Sequence, residues 1–293
     1  MHKTQEGEQK KFASARPALP KESRTRSGWT ERRMKPVEFS SFVSELASIS
    51  GQAILPFFRT MIAAEDKSHG GVFDPVTEAD RAGEVAMRRL IRSHFPAHGI
   101  VGEEFGAENE DAEFVWVLDP IDGTRAFMAG LPLWGTLIGL LRDGNPAYGL
   151  MHQPFIGEVF CGDGNSATYT GPHGERRLIT RRCDRIESAI LSTTSPRLFD
   201  ETTRPAYERV ESAAQITRYG CDCYAYAMLA AGQIDVVVEA GLKPYDIVAL
   251  IPIVEGAGGI VTNWEGGPAA QGGSIVACGD PRLHALVLER LRG

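Results

Sequence analysis

Apolar residues between positions 37 and 95 recur at three- and four-residue spacing, the pattern of amphipathic helices. The first such helix begins near Val37 and reaches Pro56, where the missing N–H of proline ends or kinks it. A second helix is predicted over about 79–95, with Thr77 as its N-cap and Asp80 three residues further on. The residues predicted on the apolar side of this second helix are Val85, Ala86, Leu90 and Ile91.

Shorter apolar runs, bounded by turn residues, follow these helices and predict strands. In the first half of the chain the predicted strands cover 114–118, 136–141, 147–151 and 158–161, with a hairpin connection at 142–146. In the second half, strands are predicted near 189–192, 217–220, 234–239, 259–263 and 274–278, and helices near 223–231, 246–256 and after Asp280. This alternation, with hairpins between some of the strands, predicts a mixed α/β fold built in layers.

The composition is that of an ordinary globular protein: 43% of the residues are hydrophobic, 24% are charged and the formal net charge is −7. A negative net charge argues against nucleic acid as a partner, and no run of 18 apolar residues exists that would cross a membrane. The five cysteines form no CxxC pair, which argues against a disulfide framework or structural zinc. A reducing, cytoplasmic location is therefore expected.

The charge is distributed unevenly, and the chain divides into three parts. Residues 1–34 hold nine Lys/Arg and four Asp/Glu, and their polar composition predicts a disordered basic N-terminal extension. This extension has no apolar stretch typical of a secretory signal, its four glutamates argue against a transit peptide, and Met34 is an alternative start. Residues 35–178 and 179–293 are predicted to form two α/β subdomains, the first carrying metal-binding motifs and the second completing the site.

Three acidic clusters occur where apolar elements end or begin, which places their carboxylates on the rim of a sheet, where α/β proteins bind ligands. They are Gly102-Glu103-Glu104, Asp119-Pro-Ile-Asp122-Gly-Thr124 and Tyr245-Asp246. Taken singly, each is most often a solvated turn, a surface pair or a helix cap. Taken together, hard oxygen ligands without interleaved His or Cys suit Mg²⁺ or Mn²⁺ rather than zinc.

The central cluster has the local features of a cation and phosphate site. Its two like charges, three residues apart, repel each other unless a positive charge lies between them. Pro120 and Gly123 allow bends that turn both carboxylates toward one point. Thr124 adds a hydroxyl group, and the amides after Gly123 can bind an anion at the start of a helix.

These segments, together with Asp74-Pro-Val-Thr77-Glu-Ala-Asp80 and a helix that runs from Asp246 to Gly258-Gly259, resemble the inositol monophosphatase family in order and spacing. The resemblance covers about residues 37–290. It implies an alternating α-β-α-β-α layered sandwich of the inositol monophosphatase and sugar phosphatase type, a Mg²⁺-dependent phosphatase activity with Mn²⁺ as the alternative ion, and a homodimer. One departure is Tyr245, where the family usually has tryptophan before the third aspartate.

The resemblance also implies roles for individual residues. The ligands of the first metal would be Glu103, Asp119 and the carbonyl of Ile121, and those of the second Asp119, Asp122 and Asp246. A weaker third ion would touch Asp122, with Asp74 and Glu104 nearby. The catalytic group would be Glu103, Asp122 and Thr124, in which Thr124 and Glu103 orient and activate the attacking water, and the amides of Gly123 and Thr124 would hold the phosphate.

The substrate is suggested by the residues at the rim of the site. Glu239 matches a family position that contacts substrate hydroxyls, and Asp222 matches a position where inositol phosphatases usually carry a small residue. Asp246 is also expected among the residues that bind the substrate. Acidic side chains around the leaving group would attract a cationic substrate. The segments 119–127, 133–137 and 220–226, with Arg125 after the central threonine, resemble the histidinol-phosphatase branch. That branch converts L-histidinol phosphate to L-histidinol and phosphate in histidine biosynthesis.

Other interpretations stay open at this point. Asp222 could cap the helix that starts at Cys223, and Glu239 could be a solvated strand end. Inositol 1-phosphate is the next candidate substrate, ahead of a bisphosphorylated nucleotide such as 3'-phosphoadenosine 5'-phosphate. A sugar bisphosphate would need a basic cluster, and the candidates Arg125, Arg197 and Arg218 form no clear motif. A regulatory binding protein of the same fold, in which catalysis is incidental, is an alternative of a different class.

Overall fold

A computed structural model describes residues 36–61, 64–66 and 75–293. The helices of this part of the chain are α1 Pro36–Ile54, α2 Glu78–His94, α3 Thr124–Met128, α4 Arg204–Glu211, α5 Asp222–Ala230, α6 Pro244–Ile247, α7 Leu250–Gly256 and α8 Pro281–Arg292. The strands are β1 Ala64–Asp66, β2 Pro75–Thr77, β3 Gly99–Gly102, β4 Gly106–Glu108, β5 Phe114–Asp122, β6 Gly135–Arg142, β7 Asn145–Gln153, β8 Glu158–Gly162, β9 Ala167–Gly171, β10 Gly174–Arg177, β11 Ile190–Thr193, β12 Ile216–Tyr219, β13 Val236–Leu242, β14 Ile260–Asn263 and β15 Gly273–Cys278. The predicted disorder of 1–34 lies outside the described residues.

The strands form a small ribbon, β1–β2, and two larger mixed sheets. The first sheet has eight strands in the order β10-β9-β8-β7-β6-β5-β3-β4, and β3 runs parallel to β5. The second has five strands in the order β12-β11-β13-β15-β14, and β11 runs parallel to both of its neighbours. The chain passes from the first sheet to the second between Arg177 and Ile190. Within the described ranges, no helix combines the length and the apolar character needed to span a bilayer.

The helices pack outside and between the two sheets. α1 and α2 cover one face of the eight-stranded sheet, α5 and α7 lie between the sheets, and α4 and α8 cover the far face of the five-stranded sheet. Successive residues of β13 alternate between two cores, since Val237 belongs to the middle core and Val236 and Val238 to the outer one. This is the predicted α-β-α-β-α arrangement, and the mixed α/β class is confirmed.

The link between α6 and α7 lies directly on the backbone of the eight-stranded sheet. A Cβ atom on Gly149 would lie 1.8 Å from the carbonyl oxygen of Ala249, and one on Gly139 would lie 2.8 Å from a side-chain carbon of Val248. Glycine is therefore needed at both positions for this close approach. The contact fixes the position of α6, which carries Asp246.

The predicted helix over 246–256 is divided into α6 and α7. Pro252 explains the division, because it has no N–H to donate and its ring would collide with the carbonyl of Val248, four residues earlier. The first helix likewise ends at Ile54 and continues as a short 3₁₀ turn over Leu55–Phe57, close to the predicted end at Pro56.

Helix α2 begins as predicted but presents a different face to the core. The N–H of Thr77 donates to Asp80 Oδ2 at 2.8 Å, which confirms the capping box. The prediction that Val85 faces the core was wrong, since its exposed fraction is 52%, and Ala86 and Leu90 are half-buried. The buried residues of the helix are Ala79, Asp80, Gly83, Glu84, Met87, Arg88 and Ile91. Two of them, Glu84 and Arg88, are a charged pair joined at 2.7 Å, which lets both be buried.

Candidate metal and phosphate site

The parallel pairing of β3 with β5 brings the first two acidic clusters together. Gly102 lies opposite Leu118 in this pair, and the N–H of Glu103 donates to the Leu118 carbonyl at 3.2 Å. Asp119 is the next residue of β5, so the two acids leave neighbouring strands at one edge of the sheet. Their side chains lie close enough that the charge of Glu103 raises the pKa of Asp119, in addition to the larger effect of burial.

The end of β5 is irregular, and this irregularity directs the central cluster. The register with β6 shifts between Asp119 and Asp122, and the Ile121 N–H donates to Asp119 Oδ1 at 3.0 Å. Gly123 has φ +92°, a left-handed conformation that favours glycine, and it lets α3 begin at Thr124. The Thr124 hydroxyl donates to the Ile121 carbonyl at 3.0 Å.

The third cluster reaches the same place from the second half of the chain. Asp246 lies in the first turn of α6, where its Oδ2 accepts the N–H of Lys243 at 2.7 Å. One carboxylate oxygen from each of Asp119, Asp122 and Asp246 lies within 4.8 Å of the other two. The amide of Cys223, in the first turn of α5, donates to Asp122 Oδ2 at 2.5 Å and attaches that helix to the cluster.

The electrostatics of this cluster suit a cation. Burial raises the pKa of Asp119 well above its ordinary value, and the charges of Glu103, Asp122 and Asp246 raise it further. Burial also raises the pKa of Asp122, with Asp222 and Asp246 adding repulsion. A divalent cation would relieve this repulsion, and the donors are all hard oxygens. The residues therefore fit Mg²⁺ or Mn²⁺.

A cavity of about 390 Å³ opens beside the cluster. The predicted site residues that line it are Glu103, Asp119, Ile121, Asp122, Gly123, Thr124, Arg125, Asp222 and Asp246. Glu104 and Glu239 are not among the lining residues, and Asp74 lies outside the described part of the chain. The structure thus brings together all three acidic clusters around one cavity.

Asp222 lies in the wall of this cavity in a left-handed conformation, with φ +44°. Burial raises its pKa to about 6, opposed by the charge of Arg125 and by a hydrogen bond with the Thr194 side chain. The interpretation of Asp222 as the cap of α5 was wrong, because the helix begins at Asp222 itself, with Cys221 at the N-cap position and no side-chain cap hydrogen bond. Asp222 instead contributes to the wall of the cavity.

Glu239 is buried behind the cavity wall, with an exposed fraction of 1%. Its carboxylate accepts the Thr194 N–H at 2.7 Å, the Thr194 hydroxyl at 3.0 Å and the Thr193 hydroxyl at 3.2 Å. Burial raises its pKa to about 8. The interpretation of Glu239 as a solvated strand end was wrong, and Thr194 lies between its carboxylate and the cavity.

Three polar or charged residues near the site were not expected from the sequence. Thr194 and Lys243 line the cavity, and Glu84 accepts the backbone N–H of Glu104 at 2.7 Å. Thr194 directly follows β11, so the rule that ligands bind at strand ends was a usable signal for it. Glu84 carried no such signal, because the apolar pattern of α2 placed another face toward the core.

The layered α/β fold, with partly buried carboxylates beside a polar cavity, agrees with the class of metal-dependent phosphoric monoester hydrolases. Within this class the chain belongs to the inositol monophosphatase family, whose sequence profile matches residues 35–293. The family resemblance seen in the sequence is confirmed.

Individual relatives cover most of the chain. Bifunctional phosphatase IMPL2, a chloroplastic protein of Arabidopsis thaliana, is 42% identical over 289 residues, which is 95% of this chain and 81% of the relative. The histidinol-phosphatase of Mycobacterium tuberculosis is 34% identical over 224 residues, 74% of this chain and 84% of the relative. Among solved structures, an inositol monophosphatase from Zymomonas mobilis superposes with a TM-score of 0.78 at 38% identity, covering 89% of this chain and 100% of that one.

Proposed function

We propose that this phosphatase hydrolyses L-histidinol phosphate to L-histidinol and inorganic phosphate, with Mg²⁺ or Mn²⁺ as its cofactor. The observation that carries the proposal is Asp222, a carboxylate that lines the cavity but lies outside the three-aspartate cluster. The leaving group of histidinol phosphate carries an ammonium group that such a carboxylate would attract. The Mycobacterium tuberculosis relative, a histidinol-phosphatase, supports the same substrate.

The reaction requires a positioned water and a held phosphate. The metals would be held by Glu103, Asp119, the Ile121 carbonyl, Asp122 and Asp246, and a third ion would lie near Asp74 and Glu104. Bound divalent ions lower the pKa of water and offset phosphate charge. Glu103 and Thr124 orient the attacking water, and the amides of Gly123 and Thr124 hold phosphate oxygens at the start of α3.

The leaving group would lie against Asp222. This carboxyl is ionised above its pKa of about 6, and Arg125 beside it offsets part of its charge. Glu239 adds little negative charge at neutral pH, because its pKa lies at about 8. We therefore propose that Glu239 acts on the substrate through Thr194, which it holds with two hydrogen bonds.

Inositol 1-phosphate is the second candidate substrate. The observation that favours it is the closeness of Arg125 to Asp222, because a partly neutralised rim would also accept an uncharged polyol. The similarity to the Zymomonas mobilis inositol monophosphatase supports this alternative. A homodimer and a cytoplasmic location remain predictions, which sedimentation and cell fractionation would test.

The test is a comparison of substrates with purified, Mg²⁺-loaded protein. We expect kcat/KM for histidinol phosphate to exceed that for inositol 1-phosphate at least about tenfold, since one hydrogen bond to a charged group contributes about 1.5–3 kcal/mol. Equal or greater efficiency with inositol 1-phosphate would contradict the histidinol assignment. Phosphate release that persists in EDTA would contradict the metal-dependent mechanism itself.

A further inference from the structure

We propose that Glu84 is a positioning residue that holds the turn carrying Glu103, and so presets the carboxylate cluster for its metal. The inference rests on the proposed function, because it takes Glu103 as a metal ligand. Glu84 belongs to α2, which packs against β5, and it does not line the cavity. Its side chain is completely buried.

A single carboxylate of Glu84 holds two successive peptide groups of the turn. The N–H of Glu104 donates to Glu84 Oε2 at 2.7 Å, and the N–H of Phe105 donates to Glu84 Oε1 at 3.2 Å. The preceding N–H, of Glu103, donates to the Leu118 carbonyl at 3.2 Å. Three consecutive amides are thereby held, two by α2 and one by β5.

Arg88 completes the connection from the same helix. Its Nε donates to Glu84 Oε1 at 2.7 Å, and its Nη2 donates to the carbonyl of Gly106. Both charged side chains are at least 95% buried and therefore shielded from water, so each charge is compensated by the other. Glu84 and Arg88 are four residues apart on one face of α2, so together they contact both sides of the β3–β4 turn.

The Glu84 carboxylate lies directly against the backbone at the end of β3. A Cβ atom on Gly102 would lie 2.0 Å from Glu84 Oε1, and Gly106 has φ +67°, which lets the turn close. The backbone on either side of Glu103 is therefore fixed, at Gly102 by the approach of Glu84 and at Glu104 by its hydrogen bond to Glu84.

Fixing the β3–β4 turn in this way opposes the electrostatic repulsion between the carboxylates of the site. Glu103 and Asp119 leave neighbouring strands and line the same cavity as Asp122, so like charges would push the carboxylates apart if the backbone were free to move. By holding the turn, Glu84 keeps Glu103 near Asp119 before any cation binds. The benefit is a higher metal affinity, because less reorganisation accompanies binding.

Glu84→Gln tests this role by calorimetric titration of the metal-free protein with Mn²⁺. The amide oxygen of glutamine can replace one carboxylate oxygen, but its NH₂ group cannot accept a hydrogen bond from the turn. We expect Mn²⁺ affinity to fall about 10- to 100-fold, the loss typical of removing a group that orients a ligand. In steady-state assays the Mg²⁺ concentration for half-maximal rate should rise by the same factor.

Asp235→Asn is the matched control. Asp235 is also completely buried, accepts an arginine Nε (Arg181, 2.9 Å) and accepts a backbone N–H (Ile190, 2.7 Å), but it lies outside the cavity lining. Both variants should lose thermal stability, and only Glu84→Gln should lose Mn²⁺ affinity. Unchanged Mn²⁺ affinity in Glu84→Gln, or an equal loss in both variants, would overturn the inference.

Two further outcomes separate the inference from the proposed function. If the wild-type protein itself binds no Mn²⁺, the proposed function fails, whatever Glu84 does. If Glu84→Gln does not fold, amide hydrogen exchange of the metal-free wild-type protein tests instead whether Glu84 holds the turn. The amides of Glu104 and Phe105 should then be protected, and exchange at the rate of an open turn would overturn the positioning role.

Discussion

Replacing Asp222 by asparagine is the sharpest test of substrate choice, because it removes a charge and little else. Asp222 has φ +44°, and asparagine adopts this left-handed conformation more readily than other residues with side chains. Asp222→Ala would remove the same charge but add backbone strain of about 1–2 kcal/mol. Asparagine therefore isolates the electrostatic effect.

The expected size of the effect follows from the surroundings of Asp222. A hydrogen bond from an ammonium group to this carboxylate would contribute about 1.5–3 kcal/mol. Arg125 is close enough to lower the pKa of Asp222, so part of that attraction is already offset. We expect kcat/KM for histidinol phosphate to fall about 10- to 100-fold, using about 1.4 kcal/mol for each tenfold change.

The assay measures phosphate release at about pH 8, where a carboxyl with a pKa of about 6 is ionised. Glycerol phosphate, whose leaving group is uncharged, serves as the control substrate. Its kcat/KM should hardly change, because its leaving group carries no charge for Asp222 to attract. An equal loss on both substrates would refute the reasoning and assign Asp222 a packing role.

Three other outcomes are expected. Asp119→Asn should lower Mg²⁺-dependent phosphate release on the order of a thousandfold, because it removes a buried charge from the centre of the cluster; steady-state rates over a Mg²⁺ titration check this. In EDTA, the free energy of unfolding should fall as the pH rises from about 5 to 8, since the folded protein holds the pKa values of Asp119, Asp122 and Glu239 above their unfolded values. Urea denaturation would measure this, and Mn²⁺ should restore more stability at the higher pH, where the ligands no longer compete with protons. Gly149→Ala should cost about 1–3 kcal/mol or more in thermal unfolding, because its Cβ would lie 1.8 Å from the Ala249 oxygen.

Features that depend on neighbouring residues in the chain were predicted well. The N-cap at Thr77, the hairpin between β6 and β7, and the start of α8 at Asp280 each rest on a few consecutive residues. Gly232 ends α5 with φ +74°, as its position after the helix predicts. Such signals are readable because their hydrogen bonds close within one or two turns of chain.

Features that depend on distant partners were missed. Strand β10 has four exposed residues, so it shows no apolar alternation and exists through its pairing with β9. The burial of Glu84 and Arg88 depends on each other and on the β3–β4 turn, and nothing in the apolar pattern of α2 indicates it. The direction of Glu239 away from the cavity is set by Thr193 and Thr194, which are far away in sequence.

The acidic site itself was predicted from the order of its three clusters along the chain, because no single cluster was specific enough to indicate it. What the order could not give is the parallel register of Gly102 with Leu118, which brings Glu103 beside Asp119. It also could not reveal the Cys223 amide that ties α5 to Asp122. Register and helix docking are properties of the folded core, so residue spacing alone does not contain them.

The three aspartates of the cluster are synthesised at different times but form one site. Asp119 and Asp122 end a strand of the first sheet, whereas Asp246 begins a helix more than a hundred residues later, after most of the second sheet. During synthesis, Asp119 and Asp122, which repel each other, therefore emerge from the ribosome long before Asp246 is available to share a cation with them. A truncated product that ends after the first sheet would keep those acids without their common ion.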